Sequence, residues 1–359
     1  MRVTLEEIAK TTGFSVPTVS RALTNKDYPV NPKTRKRILE VAESMGYQPN
    51  LSARSLRTDR TNTIGIIVDD LLSPFVPPIV RGIQDHLKPL DYMGLIVNTD
   101  FDPALEKEAI SILVNRPVDG IIFVESFHAA NNNLLEEINK PYVFVHRLFG
   151  TSVKNSVVPD DRHGAKLAVN HLAALGHRRI AYINGPAEWH SARRRLAGYE
   201  EALEALGIEI DTTLIQPGDW EFAGGYEAAK QLLALDSRPT AVFAANDLMA
   251  LGAIYAIQDA GLGVPEDIAI VGYDNRDFTS IFRPKITTVT MPVYEMGKAS
   301  AELLLTQLLE GQKNVDEAKV RGQLLIRETC GADASQQIQE EFSAATTVRR
   351  ILLNEQPDD

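Results

Sequence analysis

From residue 62 onward short apolar runs alternate with longer amphipathic ones, and this rhythm constrains the fold more than any other feature of the chain. Residues 64–68, 95–98, 121–124, 143–145, 180–183, 241–244 and 268–271 read as strands, and they are apolar along nearly their whole length. Residues 105–115, 165–175, 192–206, 223–235 and 248–260 carry the three-to-four spacing of helices. Strands that offer no polar face need cover on both sides, and helices joining successive parallel strands supply it. The body, residues 62–335, is therefore expected to be a doubly wound α/β structure whose ligands bind beyond the carboxyl ends of its strands. The alternation restarts around residues 157–161, and single cores stop growing at about 250–300 residues. Two parallel-sheet subdomains are expected, with the chain crossing between them near residues 159–162 and 287–292.

The first part of the chain is of another kind. Thr4 and Glu7 form a capping box, and Leu5, Ile8 and Ala9 give a short helix its apolar face before Gly13 stops it. Ser15 caps a second helix over residues 15–23, in which Val16, Val19, Ala22 and Leu23 should point inward and Pro17, Thr18 and Arg21 outward. Asn31 and Pro32 start a third, with Ile38, Val41, Ala42 and Met45 on one face and Lys33, Arg35, Lys36 and Arg37 crowding its first turns. Residues 1–48 thus read as an all-α helix-turn-helix head, and 49–61 as a linker. The chain's net charge is −11, yet residues 1–60 hold 11 Lys and Arg against six Asp and Glu, which leaves −16 for the rest. A basic head on an acidic body suits local contact with a polyanion; spacing alone leaves an ordinary three-helix bundle with a solvated basic face open.

The residue strings are more specific. Val3–Lys10, Phe14-Ser-Val-Pro-Thr-Val-Ser-Arg-Ala-Leu-Thr-Asn25, Thr34-Arg-Lys-Arg-Ile-Leu39, Gly46-Tyr-Gln-Pro-Asn50 and Ser52-Ala-Arg-Ser-Leu-Arg57 resemble the head and hinge helix of the lactose-repressor/galactose-repressor (LacI/GalR) family. In the body, Ile64-Gly-Ile-Ile67, Val118-Asp-Gly-Ile-Ile122, His171–His177, Arg195-Leu-Ala-Gly-Tyr199, Arg238–Phe243, Asn246–Gly252 and Val271-Gly-Tyr-Asp274 extend the likeness to about residue 330. The resemblance implies a homodimeric repressor, in some members a tetramer, that binds a pseudo-palindromic double-stranded operator. Its body would be of the periplasmic sugar-binding type, with a small effector between the subdomains. By resemblance, Val16, Pro17 and Arg21 face bases, while Ser15, Thr18, Ser20 and Asn25 touch the sugar-phosphate backbone. Leu56, flanked by Ala53 and Arg54, wedges open the minor groove.

Polar residues at strand ends mark a cleft without help from the family: Asp69, Ser126, His146, Asn246, Asp247 and Asp274. Carboxylates, amides and guanidinium groups recognise a diol, and an aromatic face packs on a sugar's C–H surface. Arg195, Asn246, Asp274 and Trp220 supply these groups and match effector positions in sugar-responsive members; Phe75 matches an aromatic lining the cleft from the other side. His146 replaces an Asp found there in several members. A sugar or sugar phosphate is favoured as effector, and a purine-responsive member would use an aromatic and an Asp at two of the same places. A capping role stands beside the ligand role for Asp247, and Trp220 could serve as a lid over the core.

Phosphate-loop, dinucleotide and nucleophile-elbow motifs are missing from the sequence, which counts against an enzyme. His163, His171 and His177 stand eight and six residues apart, not on one helix face, so no metal and no other cofactor is expected. Cys330 stands alone, which excludes an internal disulfide. No apolar run reaches membrane-spanning length, and Met1–Lys10 turns acidic by Glu6, unlike a secretory signal. A cytoplasmic protein is expected, not a secreted solute-binding one. In the tail, 336–359, Ile338, Phe342, Ala345, Val348 and Leu352 recur at helical spacing, so that a docking or tetramerising helix and a frayed terminus are both open.

Overall fold

The computed structural model describes residues 3–24, 30–47, 60–125, 138–146, 154–311 and 316–332. The expectations for Asn25, Ala53, Arg54, Leu56, Ser126 and the tail lie outside the described residues. The chain divides into a unit spanning residues 1–61 and a second spanning 62–359.

The first unit contains α1 (Leu5–Thr12), α2 (Val16–Thr24) and α3 (Pro32–Ser44). The capping box forms in full: the Glu7 amide donates to Thr4 Oγ1 and the Thr4 amide to Glu7 Oε2. Gly13, at φ 77°, ends α1 in the left-handed conformation that favours glycine. Asn31 caps α3 by accepting from the Lys33 amide at 2.9 Å. Ile8, Val19, Ala22, Ile38 and Ala42 close a small core. Val16 departs from the expected inward face and is exposed, because it opens α2 ahead of the turns that touch α1 and α3.

Among the described residues the body holds two six-stranded sheets. In the first, β1 (Thr63–Val68), β2 (Met93–Asn98), β3 (Gly120–Val124), β4 (Tyr142–Val145), β5 (Ser156–Pro159) and β11 (Ala318–Val320) run parallel in the order β11-β5-β4-β3-β1-β2. In the second, β6 (Ile180–Asn184), β7 (Ile215–Pro217), β8 (Ala241–Ala244), β9 (Ala269–Asp274), β10 (Thr287–Thr290) and β12 (Leu324–Leu325) follow the order β12-β10-β9-β8-β6-β7. Only β12 there is antiparallel to its neighbour. Helices α4 (Val76–Leu87), α5 (Pro103–Asn115), α6 (Asp161–Ala174), α7 (His190–Ala205), α8 (Phe222–Leu233), α9 (Asp247–Asp259) and α10 (Val293–Glu310) cover the sheets. The strands are buried on both faces, as their apolar composition requires: Ile66, Ile122, Val143, Phe243 and Ile270 have no exposed surface.

The chain passes from the first sheet to the second after β5 and returns after β10, when α10 packs Met296, Leu303 and Leu304 into the first core. A third passage, at residues 321–323, was not foreseen from sequence; it carries the chain from β11 to β12. The passages interlock. Asp160 donates its amide to Val320 O, Thr290 donates to Gln323 O, and Gln323 donates to Thr290 Oγ1. Gly322 lies so close to Thr290 that a Cβ would stand 1.9 Å from its carbonyl oxygen.

Candidate functional site

Register gathers the cleft of the body. Val68 pairs with Val124, and Val124 with Val145, so Asp69, Glu125 and His146 leave neighbouring strands of the first sheet side by side. Asp69 is buried and accepts from Thr99 Oγ1 at 2.8 Å. His146 Nδ1 lies 2.8 Å from Glu125 Oε1, both side chains buried, with φ of 52° and 57°. Glu125 was overlooked in the sequence, where it follows an apolar strand without a motif of its own. The Phe75 ring stands edge-on to His146, centroids 5.3 Å apart.

Opposite them, the second sheet presents Asn246 and Asp247 after β8 and Asp274 at the end of β9, while loops after β6 and β7 bring Trp189 and Trp220. Asn246 caps α9, its Oδ1 accepting from the Met249 amide, while its Nδ2 donates to the Trp220 carbonyl, both at 2.8 Å. Its side chain therefore positions Trp220, where a direct diol contact was expected of it. Trp220, at φ 71°, lays its ring against Gly185, where a Cβ would meet the indole at 2.2 Å. The Trp189 ring meets it edge-on at 5.9 Å. Asp247 proves not to be the cap; its carboxylate accepts from Thr288 Oγ1 at 2.6 Å and from the Arg276 amide at 2.8 Å.

Arg195 was expected to clamp the ligand, but its Nε donates to Asp161 Oδ1 at 2.8 Å and its Nη1 to the Ala245 carbonyl. Its Nη1 stands 3.5 Å from Asp274 Oδ1, and its Cζ lies 3.6 Å from the centre of the Tyr273 ring. It is a buried strut for Asp274. Of the adjoining arginines, Arg193 holds the carbonyls of Ala187 and Glu188, and Arg194 pairs with Glu317. Burial pushes the Asp274 carboxyl up to about 6, against the opposing charges of Arg195, His146 and Arg276. Asp247 is raised well above the ordinary carboxylate range by burial and by its neighbour Asp274. Asp274 itself sits at φ 107°, a conformation few side-chain-bearing residues adopt.

In the head, Val16, Pro17 and Arg21 lie exposed on α2, Thr18 and Ser20 are half-buried, and Ser15 Oγ sits 2.8 Å from Thr18 Oγ1. Lys33, Lys36 and Arg37 are exposed at the start of α3. Among the described residues, no group of His, Cys, Asp and Glu could hold a metal ion, and no helix is long and apolar enough to cross a membrane.

A helix-turn-helix joined to a two-sheet body with a polar cleft defines a ligand-responsive, DNA-binding regulator. Residues 4–50 match the family model of bacterial regulatory proteins of the lacI family, and residues 169–330 match a periplasmic binding protein-like domain. The chain is 36% identical to the HTH-type transcriptional regulator RegA of Clostridium saccharobutylicum, over 88% of this chain and 95% of that one. It superposes on the lac repressor dimer bound to operator and the anti-inducer ONPF with a TM-score of 0.74 and 30% identity, covering 92% of this chain and all of the other. A complex of the regulator CelR with cellobiose matches with a TM-score of 0.66 and 31% identity over 91% of this chain and all of that one. The chain belongs to the LacI family of transcriptional regulators.

Proposed function

We propose that this regulator is a cytoplasmic repressor, without catalytic activity, whose grip on a pseudo-palindromic operator is set by a small polyol, a sugar or sugar derivative, held between the two sheets. The observation that carries the reading is a pair of buried polar atoms with no hydrogen-bond partner among the described residues, Asp274 Oδ1 and Trp220 Nε1, both flanking Arg195. Unpartnered buried polar atoms are rare in folded proteins and call for an explanation. One acceptor and one donor facing a cleft are complementary to hydroxyl groups, and the Trp220 face suits a sugar's C–H surface. Solved relatives complexed with cellobiose and with ribose support the same ligand class.

The head reads DNA through the exposed start of α2, where Val16 and Pro17 would contact thymine methyl groups and Arg21 a base edge. A homodimer doubles this short contact. The exposed Phe222 and Tyr255, their rings 5.5 Å apart, offer apolar surface for the pairing, as do the exposed Ile281 and Phe282. Thermal-shift and band-shift titrations with sugars, sugar phosphates and purine bases, on the wild type and Asp274→Ala, test the proposal. A polyol should stabilise the wild type, not the variant, and should change binding to palindromic DNA from the protein's own promoter region. Stabilisation by a purine alone, or an undiminished response in Asp274→Ala, would replace it.

A further inference from the structure

Arg276 is the odd member among the arginines of the cleft. Arg193, Arg194, Arg195 and Arg327 all direct guanidinium N–H groups at protein acceptors; Arg327 alone holds Thr279 Oγ1, the Ile286 carbonyl and Asn275 Oδ1. Arg276 is half-buried, and among the described residues its guanidinium has neither an ion pair nor a hydrogen bond. It is nonetheless firmly placed. Its backbone amide is tied to Asp247 at 2.8 Å, and its Cζ lies 5.7 Å from the centre of the Phe75 ring and 5.9 Å from that of Phe278. Phe75 belongs to the first sheet's layer and Phe278 to the second's, so the charge is held between aromatic rings from both walls of the cleft. It is near enough to Asp274 to favour that carboxylate's ionisation.

A guanidinium offers five N–H donors in a planar fork, and aromatic faces take up its flat sides while leaving that edge unused. Water satisfies such a fork in the open; in a closed cleft only a ligand can. A neutral hydroxyl would engage one or two of the donors, whereas an anionic group takes two in parallel and neutralises the charge. We propose that Arg276 forms a subsite for an anionic substituent, phosphate or carboxylate, on the polyol effector. The inference rests on the cleft reading above and adds the ligand's charge to it.

The chain's two tryptophans, Trp189 and Trp220, are in contact with each other at the cleft, so intrinsic fluorescence reports on this site. Glucose 6-phosphate, ribose 5-phosphate, gluconate and inorganic phosphate would be titrated against glucose and ribose into the wild type, Arg276→Met, Arg276→Lys and Asp274→Asn, with thermal shift as a second readout. At least one anionic sugar should bind about tenfold more tightly than its neutral parent, the advantage disappearing in Arg276→Met and partly returning in Arg276→Lys. Phosphate esters and gluconate separate the two sources of the anion. Neutral sugars binding as well as every anion would overturn the subsite while leaving the cleft reading intact, as would an advantage that survives in Arg276→Met. Failure of every probe to perturb the tryptophans at millimolar concentration would overturn both, and so would anions binding undiminished to Asp274→Asn with no response to any neutral polyol.

Discussion

Asp274→Asn should stabilise the unliganded protein while removing its response to the effector. Burial lifts this carboxyl from 3.8 to about 6 even with Arg195, His146 and Arg276 nearby, so the folded state holds the Asp274 proton more tightly than the unfolded chain does. The sign of the linkage is the reverse of that for an ion-paired aspartate. The penalty is absent below the unfolded value, grows as pH rises towards about 6, and is complete above it. At about 1.36 kcal/mol for each tenfold change in proton affinity, the ionised side chain costs the folded state about 3 kcal/mol at neutral pH. Asparagine keeps the shape without the charge, and Arg195 retains its 2.8 Å bond to Asp161. Urea unfolding followed by tryptophan fluorescence should show the variant more stable by up to about 3 kcal/mol at neutral pH, with the difference shrinking towards pH 4. A variant less stable than the wild type at neutral pH would refute this. It would mean that the 3.5 Å contact with Arg195 outweighs burial and that Asp274 is a structural ion pair.

Gly185→Ala places a methyl group within the Trp220 indole, so it should shift the fluorescence spectrum, weaken effector binding and cost about 1–3 kcal/mol of stability in the same unfolding assay. Tyr255→Asp, on the exposed face beside Phe222, should convert dimer to monomer in sedimentation experiments and thereby lower operator affinity. Leu56→Ala should weaken specific operator binding at every salt concentration while leaving the dimer intact; equal retardation of wild type and variant would make the leucine a bystander.

What the sequence disclosed follows a physical divide. Strands buried on both faces announce themselves by apolar composition, and seven such runs were visible. The strands that escaped notice are the short edge strands β7, β11 and β12, the four-residue interior strand β5, and β10, whose Thr287, Thr288 and Thr290 look polar. Thr287 and Thr288 are buried and Thr290 half-buried, and each hydroxyl has a partner: Thr287 accepts from the Arg327 amide, Thr288 donates to Asp247, and Thr290 accepts from the Gln323 amide. The cleft residues were legible as positions at strand ends, but their division of labour was not. Arg195 and Asn246 spend hydrogen bonds on Asp161, Ala245, Met249 and Trp220, pairings 26 to 50 residues away in all but the local cap. Trp189, Glu125 and Arg276 carry no motif; only the parallel register and the closeness of the two walls bring them to the site.

The unpartnered atoms also bear on how a ligand could switch this molecule. A ligand moves a conformational equilibrium only by its differential affinity for the two states, typically about 1–3 kcal/mol in allosteric proteins. In the arrangement described, Phe75 from one wall meets Arg276 from the other, and Asp274 Oδ1 and Trp220 Nε1 are sealed from solvent without a hydrogen-bond partner among the described residues. Each such atom costs about 1–3 kcal/mol while it remains unsatisfied, and water can reach it once the walls part. Without ligand, closure therefore carries this cost; with ligand, the same atoms are satisfied and closure is favoured. Two atoms suffice for the coupling an allosteric regulator needs. Three interlocked passages join the sheets and the Arg194–Glu317 pair spans them, so a closing movement should turn the two walls as rigid bodies about that seam.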